Sequence, residues 1–405
     1  MKLLKRLPWA APAAACLAAA GVALADDQAS APTPAGGSTP ATAAPAVTPM
    51  ANPSLGPTLV AYPNPPVFDA GPLGKITVDG VIDALAMYQS TPAADIHGRV
   101  NQQGYGDLGN AQIIINKSDG VVQFYFQAGA YSVPSLGTPY YKATRFDSST
   151  YGYVPQGFVK IVPNATFNIE VGALPTLIGN ESVFTFQNYN IARGLVWNQT
   201  PDISRGVQFN LTQGALAFSF AVTDGYFSGA YSSIAGLATY TFKNSDTLTF
   251  EGQGNASTPR TNTFVAPAQL NDGMIYDLIY IHTSGPWTLS PYIQYNSSQY
   301  VPGVSRSGYA LGAALLAKYS FTPLWSLAGR IEYIGSSGAA DLLTYGDGSD
   351  AFSLTLTPTF RKGIFFARGD VSFVGIGGGV RGLEFGPTGE SGHQFRALLE
   401  TGVMF

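Results

Sequence analysis

The sequence predicts an all-β fold, a transmembrane antiparallel up-and-down β-barrel of about 16 strands. Its last segment, residues 393–405, alternates strictly, with Phe395, Leu399 and Val403 on one face and Gln394 on the other. A strand with one face for lipid and one for water is what a barrel wall needs. Charged residues make up only 11% of the chain and aromatic residues 12%, whereas soluble proteins carry about 25% charged residues. These observations favour a membrane barrel over a soluble domain.

Similar alternating segments recur along the chain and are joined in turn by long and short connections. The predicted strands are 76–88, 108–117, 121–131, 153–162, 165–174, 205–212, 215–224, 233–243, 247–255, 273–283, 287–297, 308–320, 324–335, 350–361, 364–374 and 393–405. In the first strand Ile82 opposes Val81 and Leu85, so both faces are partly apolar and 14 strands is the alternative count. The register of 273–283 is also open, because Ile279 opposes Leu278.

Each short connection is rich in residues that tolerate turn geometry, for example Ser118-Asp119-Gly120 and Lys362-Gly363. In barrels of this kind the short turns lie on the periplasmic side and the long loops outside. An even strand number therefore predicts that both termini are periplasmic. Phe405, an aromatic residue that closes the last strand, resembles the assembly signal of Gram-negative outer-membrane barrels and predicts recognition by their assembly machinery.

The first residues have the pattern of a secretory signal peptide. Lys2, Lys5 and Arg6 precede an Ala/Leu-rich stretch, and Ala23-Leu24-Ala25 matches an A-x-A cleavage site. We predict a signal peptide at 1–25, cleaved after Ala25. A lipoprotein site at Cys16 is the alternative, but the usual leucine three residues upstream is missing.

Residues 26–70 are rich in Ala, Pro and Thr and have few charged or large apolar residues. Such a composition cannot bury enough surface to fold, so we predict a disordered periplasmic tether there and the outer-membrane barrel at 71–405. The tether either contacts a partner or has no role of its own. Beyond the signal peptide no run of 18 apolar residues occurs, which excludes transmembrane helices.

Composition also excludes several function classes. Loss of the three basic residues of the signal peptide would leave 18 basic against 25 acidic residues, a net charge of −7, which argues against nucleic acid as a partner. The only cysteine, Cys16, lies in the signal peptide, so no disulfide is expected. No cofactor is expected, and no metal-binding motif occurs.

Polar inward faces around about sixteen strands predict a water-filled lumen. The longest loop, residues 175–204, is the best candidate for folding inward as a constriction. Opposed fixed charges in such a place order dipolar solutes and filter ions. The candidate constriction residues are Glu181, Arg193 and Asp202 in this loop, Arg205 after it, and Arg330, Glu332, Arg368, Asp370, Arg396 and Glu400 on the later strands. Alternatively, these inward charges pair across strands and only solvate the wall.

Particular residues bear on two other activities, hydrolysis and selective carbohydrate transport. His282 and Ser284 share a strand face, as a hydrolase pair would, but they adjoin a predicted periplasmic turn, away from the outer leaflet. The expectation is therefore that the protein is not an enzyme. A selective carbohydrate channel could use stacking rings at Tyr125, Tyr292, Tyr319 and Trp197, although interface anchoring explains most such rings.

The barrel start at 74–80 after an Ala/Pro-rich segment, and the segment 171–175 leading to Glu181, resemble OmpL-like β-barrel porins of Gram-negative bacteria. In that family a comparable strand leads to an Asn/Tyr/Arg segment, here 188–194, and to a Gly-rich strand, here Arg205-Gly206-Val207. The resemblance covers residues 74–405. It implies an outer-membrane location and a channel function.

The leading hypothesis is therefore a porin in the Gram-negative outer membrane, surrounded by lipid, through which small hydrophilic solutes and ions diffuse passively. The alternative is a structural or adhesive barrel whose lumen is occluded by the 175–204 loop. A homotrimer could form, as is common among porins of this size, but no sequence pattern separates a subunit contact from a lipid-facing surface.

Overall fold

The computed structural model describes residues 65–94, 101–257, 273–303, 306–338, 342–343 and 345–405. These residues form seventeen strands. The first nine are β1 Val67–Asp69, β2 Lys75–Gln89, β3 Gly104–Lys117, β4 Val122–Tyr131, β5 Gln156–Ile161, β6 Phe167–Pro175, β7 Ile203–Gln213, β8 Leu216–Thr223 and β9 Ser233–Thr241. The others are β10 Thr247–Asn255, β11 Met274–Ser284, β12 Trp287–Ser298, β13 Gly308–Ser320, β14 Trp325–Gly338, β15 Asp350–Lys362, β16 Phe365–Gly377 and β17 His393–Met404.

Helix is scarce. The described residues contain one short α-helix, α1 at Ala143–Ser149, and 3₁₀ turns at Gly71–Leu73, Thr185–Gln187 and Trp197–Gln199. None of the helices in this part of the chain has the length and apolar character needed to span a membrane.

Strands β2 to β17 form a closed barrel. Each pairs antiparallel with the next in sequence, and β17 pairs back onto β2, where Leu399 lies opposite Ala86. The predicted antiparallel barrel of sixteen strands is confirmed, and the alternative of fourteen is wrong. The periplasmic position of both termini stays a prediction.

The outer surface follows the predicted alternation. On β15, Phe352, Leu354 and Leu356 are each about half exposed, whereas the inward Ser353 and Thr355 are fully buried. Apolar side chains on the outside of a membrane barrel contact hydrocarbon, because lipid replaces water there. The exposed apolar residues therefore form the lipid-facing band.

The structure settles the two ambiguous registers. On β2, Leu85 and Met87 face inward and Ile82 faces outward; on β11, Ile279 faces inward and Leu278 outward. Both strands thus place apolar side chains inside the barrel. Sequence alternation could not decide this, because it does not show whether an inward side chain meets water or another segment of protein.

The beginning of the chain is only partly described. The predicted signal peptide at 1–25 and the predicted tether as far as residue 64 lie outside the described residues. The end of the predicted tether is not irregular, however, because β1 pairs antiparallel with the start of β2 through Phe68 and Ile76. The adjacent apolar residues Val67 and Phe68 give this short segment strand propensity.

The last residue contributes to the seam that closes the barrel. The backbone of Phe405 exchanges two hydrogen bonds with Gly80, with N···O distances of 2.7 and 3.0 Å. A Cβ atom built on Gly80 would lie 2.5 Å from Cζ of Phe405. The aromatic ring therefore covers the glycine backbone, an arrangement that stabilises sheets by shielding an otherwise bare position.

We expect Phe405→Ala to lower the free energy of unfolding by about 1 kcal/mol, because it removes a cross-strand aromatic contact. The measurement is urea unfolding of the refolded barrel, in which the folded fraction is monitored by its heat-dependent mobility in gels. Tyr300→Ala, at a highly exposed loop residue, is the control. Equal unfolding midpoints for both variants would show that the ring does not stabilise the seam.

Candidate functional site

The long connection between β6 and β7 lies inside the barrel. We call residues 176–202 the lumenal loop. Its two ends are close together, because Pro175 pairs with Ile203 and the backbone N–H of Thr176 donates to the carbonyl of Asp202 at 3.0 Å. Between these ends the loop enters the lumen and contacts inward side chains on opposite walls.

On the wall formed by β14, Arg330 is the centre of the attachment. Its guanidinium forms ion pairs with Glu181 of the loop and with Glu332 on its own strand, with N···O distances of 2.5 and 3.1 Å. Its Nη1 also donates to the carbonyl of Ala192 at 2.9 Å. All three charged side chains are at most 3% exposed, so these charges face one another rather than water.

The neighbouring carboxylates bind backbone N–H groups of the loop. Glu332 accepts from Leu195 at 3.0 Å, and Asp370 on β16 accepts from Ile191 at 2.9 Å. A Cβ atom on Gly194 would lie 2.0 Å from Oε1 of Glu332. Only glycine lets the loop backbone approach the wall this closely.

Arg368 on β16 and Arg396 on β17 extend the attachment. Arg368 forms an ion pair with Glu400 and donates to the carbonyls of Asn188 and Thr185 at 2.9 and 3.0 Å. Arg396 instead donates to the carbonyl of Ser135 at 2.6 Å, in the loop between β4 and β5. The three wall arginines therefore hold two loops inside the lumen.

The side chains of Arg193, Asp202 and Arg205 have partners other than the three wall arginines. Arg193 donates to the carbonyls of Ser182 and Ile191 within the loop. Asp202 accepts a hydrogen bond from Tyr151, and Arg205 forms an ion pair with Asp224.

The opposite wall holds the first turn of the loop. Leu177 and Ile178 pack against inward Ala221, Leu237 and Ile275. The N–H of Gly179 donates to Glu251 on β10 at 2.6 Å, and Asn180 donates to Ser290 on β12 at 2.8 Å. Sequence reasoning missed this wall, although the inward position of Glu251 between Thr249 and Gln253 was an available signal.

The lumen differs from the predicted water-lined wall. Apolar residues of the loop pack against inward apolar residues of the strands; they include Ile191, Leu195 and Val196 from the loop and Leu85, Ile279 and Leu398 from the wall. Most inward polar side chains of the described strands are buried as well. Inward polarity did predict a lumen, but the loop occupies much of the space that was expected to hold water.

His282 and two of the candidate sugar-stacking rings contact other side chains, and Ser284 is paired through its backbone. His282 lies 2.9 Å from the carboxylate of Asp246 in the turn before β10, and Ser284 pairs with Trp287 across the next turn. Of the candidate sugar-stacking rings, Tyr292 and Trp197 are buried. Tyr125 stacks on Phe158 and Tyr319 contacts Trp287.

Comparison with known proteins identifies the family. Residues 75–405 match the family described as "Putative beta-barrel porin-2, OmpL-like". The chain belongs to this porin family. It is therefore a porin of the Gram-negative outer membrane, as its sequence predicted. A search of curated proteins found no match.

Solved structures of outer-membrane proteins share the fold of this porin. OmpT of Vibrio cholerae, an outer membrane protein, has a TM-score of 0.55 and 9% identity over 84% of this chain and 99% of that chain. The anion-selective porin of Comamonas acidovorans has a TM-score of 0.54 and 12% identity over 82% and 99%. The outer membrane channel DcaP of Acinetobacter baumannii has a TM-score of 0.52 and 10% identity over 82% and 97%.

Proposed function

We propose that this porin conducts small hydrophilic solutes and ions by passive diffusion along a path narrowed by the lumenal loop. The observation that carries the proposal is the attachment of that loop to both walls, through Arg330 on one side and Glu251 on the other. A loop held at two walls sets the cross-section of the path. The wall charges then act mainly by fixing the loop, because they are buried against protein groups.

Export by a signal peptide at 1–25, cleaved after Ala25, and assembly with both termini periplasmic are part of this proposal. A homotrimer is the proposed assembly, supported by the trimer form described for Vibrio cholerae OmpT. We propose no enzymatic activity, because His282 and Ser284 adjoin the tight turn between β11 and β12 at one end of the barrel.

A second candidate function is a structural or adhesive barrel with an occluded lumen. The packing of loop residues such as Ile191 and Val196 against the inward side chains favours it. The two candidates differ in one measurable property, which is the flow of ions through the folded protein at rest.

The test is single-channel recording of the refolded protein in planar bilayers, with the reversal potential measured under a salt gradient. We expect stable openings, smaller than those of an unobstructed barrel of sixteen strands. The control is the same protein after heat denaturation. A correctly folded protein that never conducts would exclude the diffusion channel and support the occluded barrel.

A further inference from the structure

Two inward carboxylates lie side by side on adjacent strands of the lumenal wall, and no basic side chain among the described residues pairs with them. Glu251 on β10 and Asp277 on β11 are direct partners in the strand register, and both point inward. They are 0% and 1% exposed. Like charges directly opposite one another destabilise a sheet, and a buried charge is costly without a partner of opposite sign.

Three other lumenal carboxylates have a basic partner, and two more, Asp83 and Asp370, accept hydrogen bonds at both and at one of their oxygens, respectively. Glu170 forms an ion pair with Lys160, Glu332 with Arg330, and Glu400 with Arg368. Among the described residues, no lysine, arginine or histidine forms an ion pair with Glu251 or Asp277.

The surroundings offer an excess of oxygen acceptors. Glu251 receives one hydrogen bond, from the N–H of Gly179 to its Oε2. Within the described residues, its Oε1 and both carboxylate oxygens of Asp277 have no donor in hydrogen-bonding geometry, although the same Gly179 N–H also acts on Asp277. Gln294 on β12 lies opposite Asp277 in the strand register. It is 1% exposed, and its Oε1 is likewise without a donor among the described residues.

We infer that Glu251, Asp277 and Gln294 bind a hard divalent cation, and we propose Ca²⁺. Calcium takes six to eight oxygen ligands from carboxylates, amide carbonyls and water, in flexible geometry. Its two positive charges balance the two carboxylates. A single proton shared by the pair would supply only one donor. Protonation of both carboxyl groups is the competing account, and it predicts that the native chain has no saturable Ca²⁺ site.

The site would also hold the lumenal loop. The N–H of Gly179 donates to Glu251. Gly179 has a φ of +92°, and a Cβ atom built on it would lie 3.0 Å from Cγ2 of Thr200. The loop therefore begins its course through the lumen at this carboxylate. A cation there neutralises the wall at the point where the loop meets it.

The test uses the refolded full chain, stripped with a chelator and then titrated with Ca²⁺ by isothermal calorimetry. We expect one saturable site in the native chain. Glu251→Gln and Asp277→Asn keep the shape of each side chain and should each weaken binding at least tenfold. Glu170→Gln removes a buried lumenal carboxylate that already has a lysine partner, and it should bind Ca²⁺ as the native chain does.

Thermal unfolding gives a second readout that a purely structural role would not produce. In chelator, Glu251→Gln should melt at or above the native temperature, because it removes a repulsion; in Ca²⁺ the native chain should melt higher, since a ligand of the folded state stabilises it. Absence of saturable binding in the native chain, or equal binding in Glu251→Gln and Asp277→Asn, would overturn the proposal. Neither readout depends on whether the barrel conducts.

Discussion

Removal of the lumenal loop is expected to raise single-channel conductance several-fold. The loop contacts inward side chains on β10, β12, β14 and β16, so it crosses the space that sixteen strands enclose. Barrels of this size leave room for an aqueous channel when nothing fills them. We therefore expect openings on the scale of an unobstructed porin once the loop is gone.

The geometry of the loop ends makes this deletion practical. Because Pro175 pairs with Ile203, and Thr176 bonds Asp202, residues 177–201 can be replaced by a two-residue glycine–serine turn without moving β6 or β7. The measurement is conductance in planar bilayers.

The matched control shortens another long loop, residues 299–307 between β12 and β13, whose described residues are mostly exposed. Its conductance should stay at the native value. Unchanged conductance after deletion of the lumenal loop would mean that the loop does not narrow the conducting path.

Arg330→Met is expected to destabilise the barrel and release the loop from its wall. The substitution leaves the carboxylates of Glu181 and Glu332 buried without their cation. Removal of one partner from a buried ion pair costs about 3–5 kcal/mol. The expected results are a lower denaturation midpoint and larger, fluctuating currents in bilayers.

Two further variants make the Arg330 experiment specific. Arg381→Gln breaks an ion pair with Glu390 in the connection after β16, where the arginine side chain is 83% exposed, and it should leave both readouts unchanged. Adding Glu181→Gln to Arg330→Met removes one stranded charge and should recover part of the lost stability. Additive effects of these two substitutions would argue against direct coupling between the residues.

The same contacts revise how the wall arginines affect ion selectivity. From the sequence, joint replacement of Arg330, Arg368 and Arg396 is predicted to shift selectivity towards cations. The structure indicates that the same replacement also releases both loops, because the three arginines bind them directly through Glu181, Asn188 and Ser135. We expect this release to change the current more than the loss of charge does. Their role in the pore constriction stays a prediction, exerted through the position of the loops.

The sequence by itself determined the barrel. Alternation with period two decides which side chains face lipid, and this pattern is local, so it can be read on β15 or β17 without knowing any other strand. Turn residues and loop lengths likewise follow from neighbouring residues. Strand number, strand order and lipid-facing surface could therefore be predicted, and so could the inward position of the charged residues.

Only the tertiary structure decided what those inward residues contact. The partner of Arg330 lies 149 positions away at Glu181, and the acidic pair of Glu251 and Asp277 arises from strand register across a long connection. A side chain that faces water and one that faces a buried loop have the same alternation in sequence. Whether a charge is solvated, paired or left without a partner depends on the path of the lumenal loop, which is fixed by contacts between residues far apart in the chain.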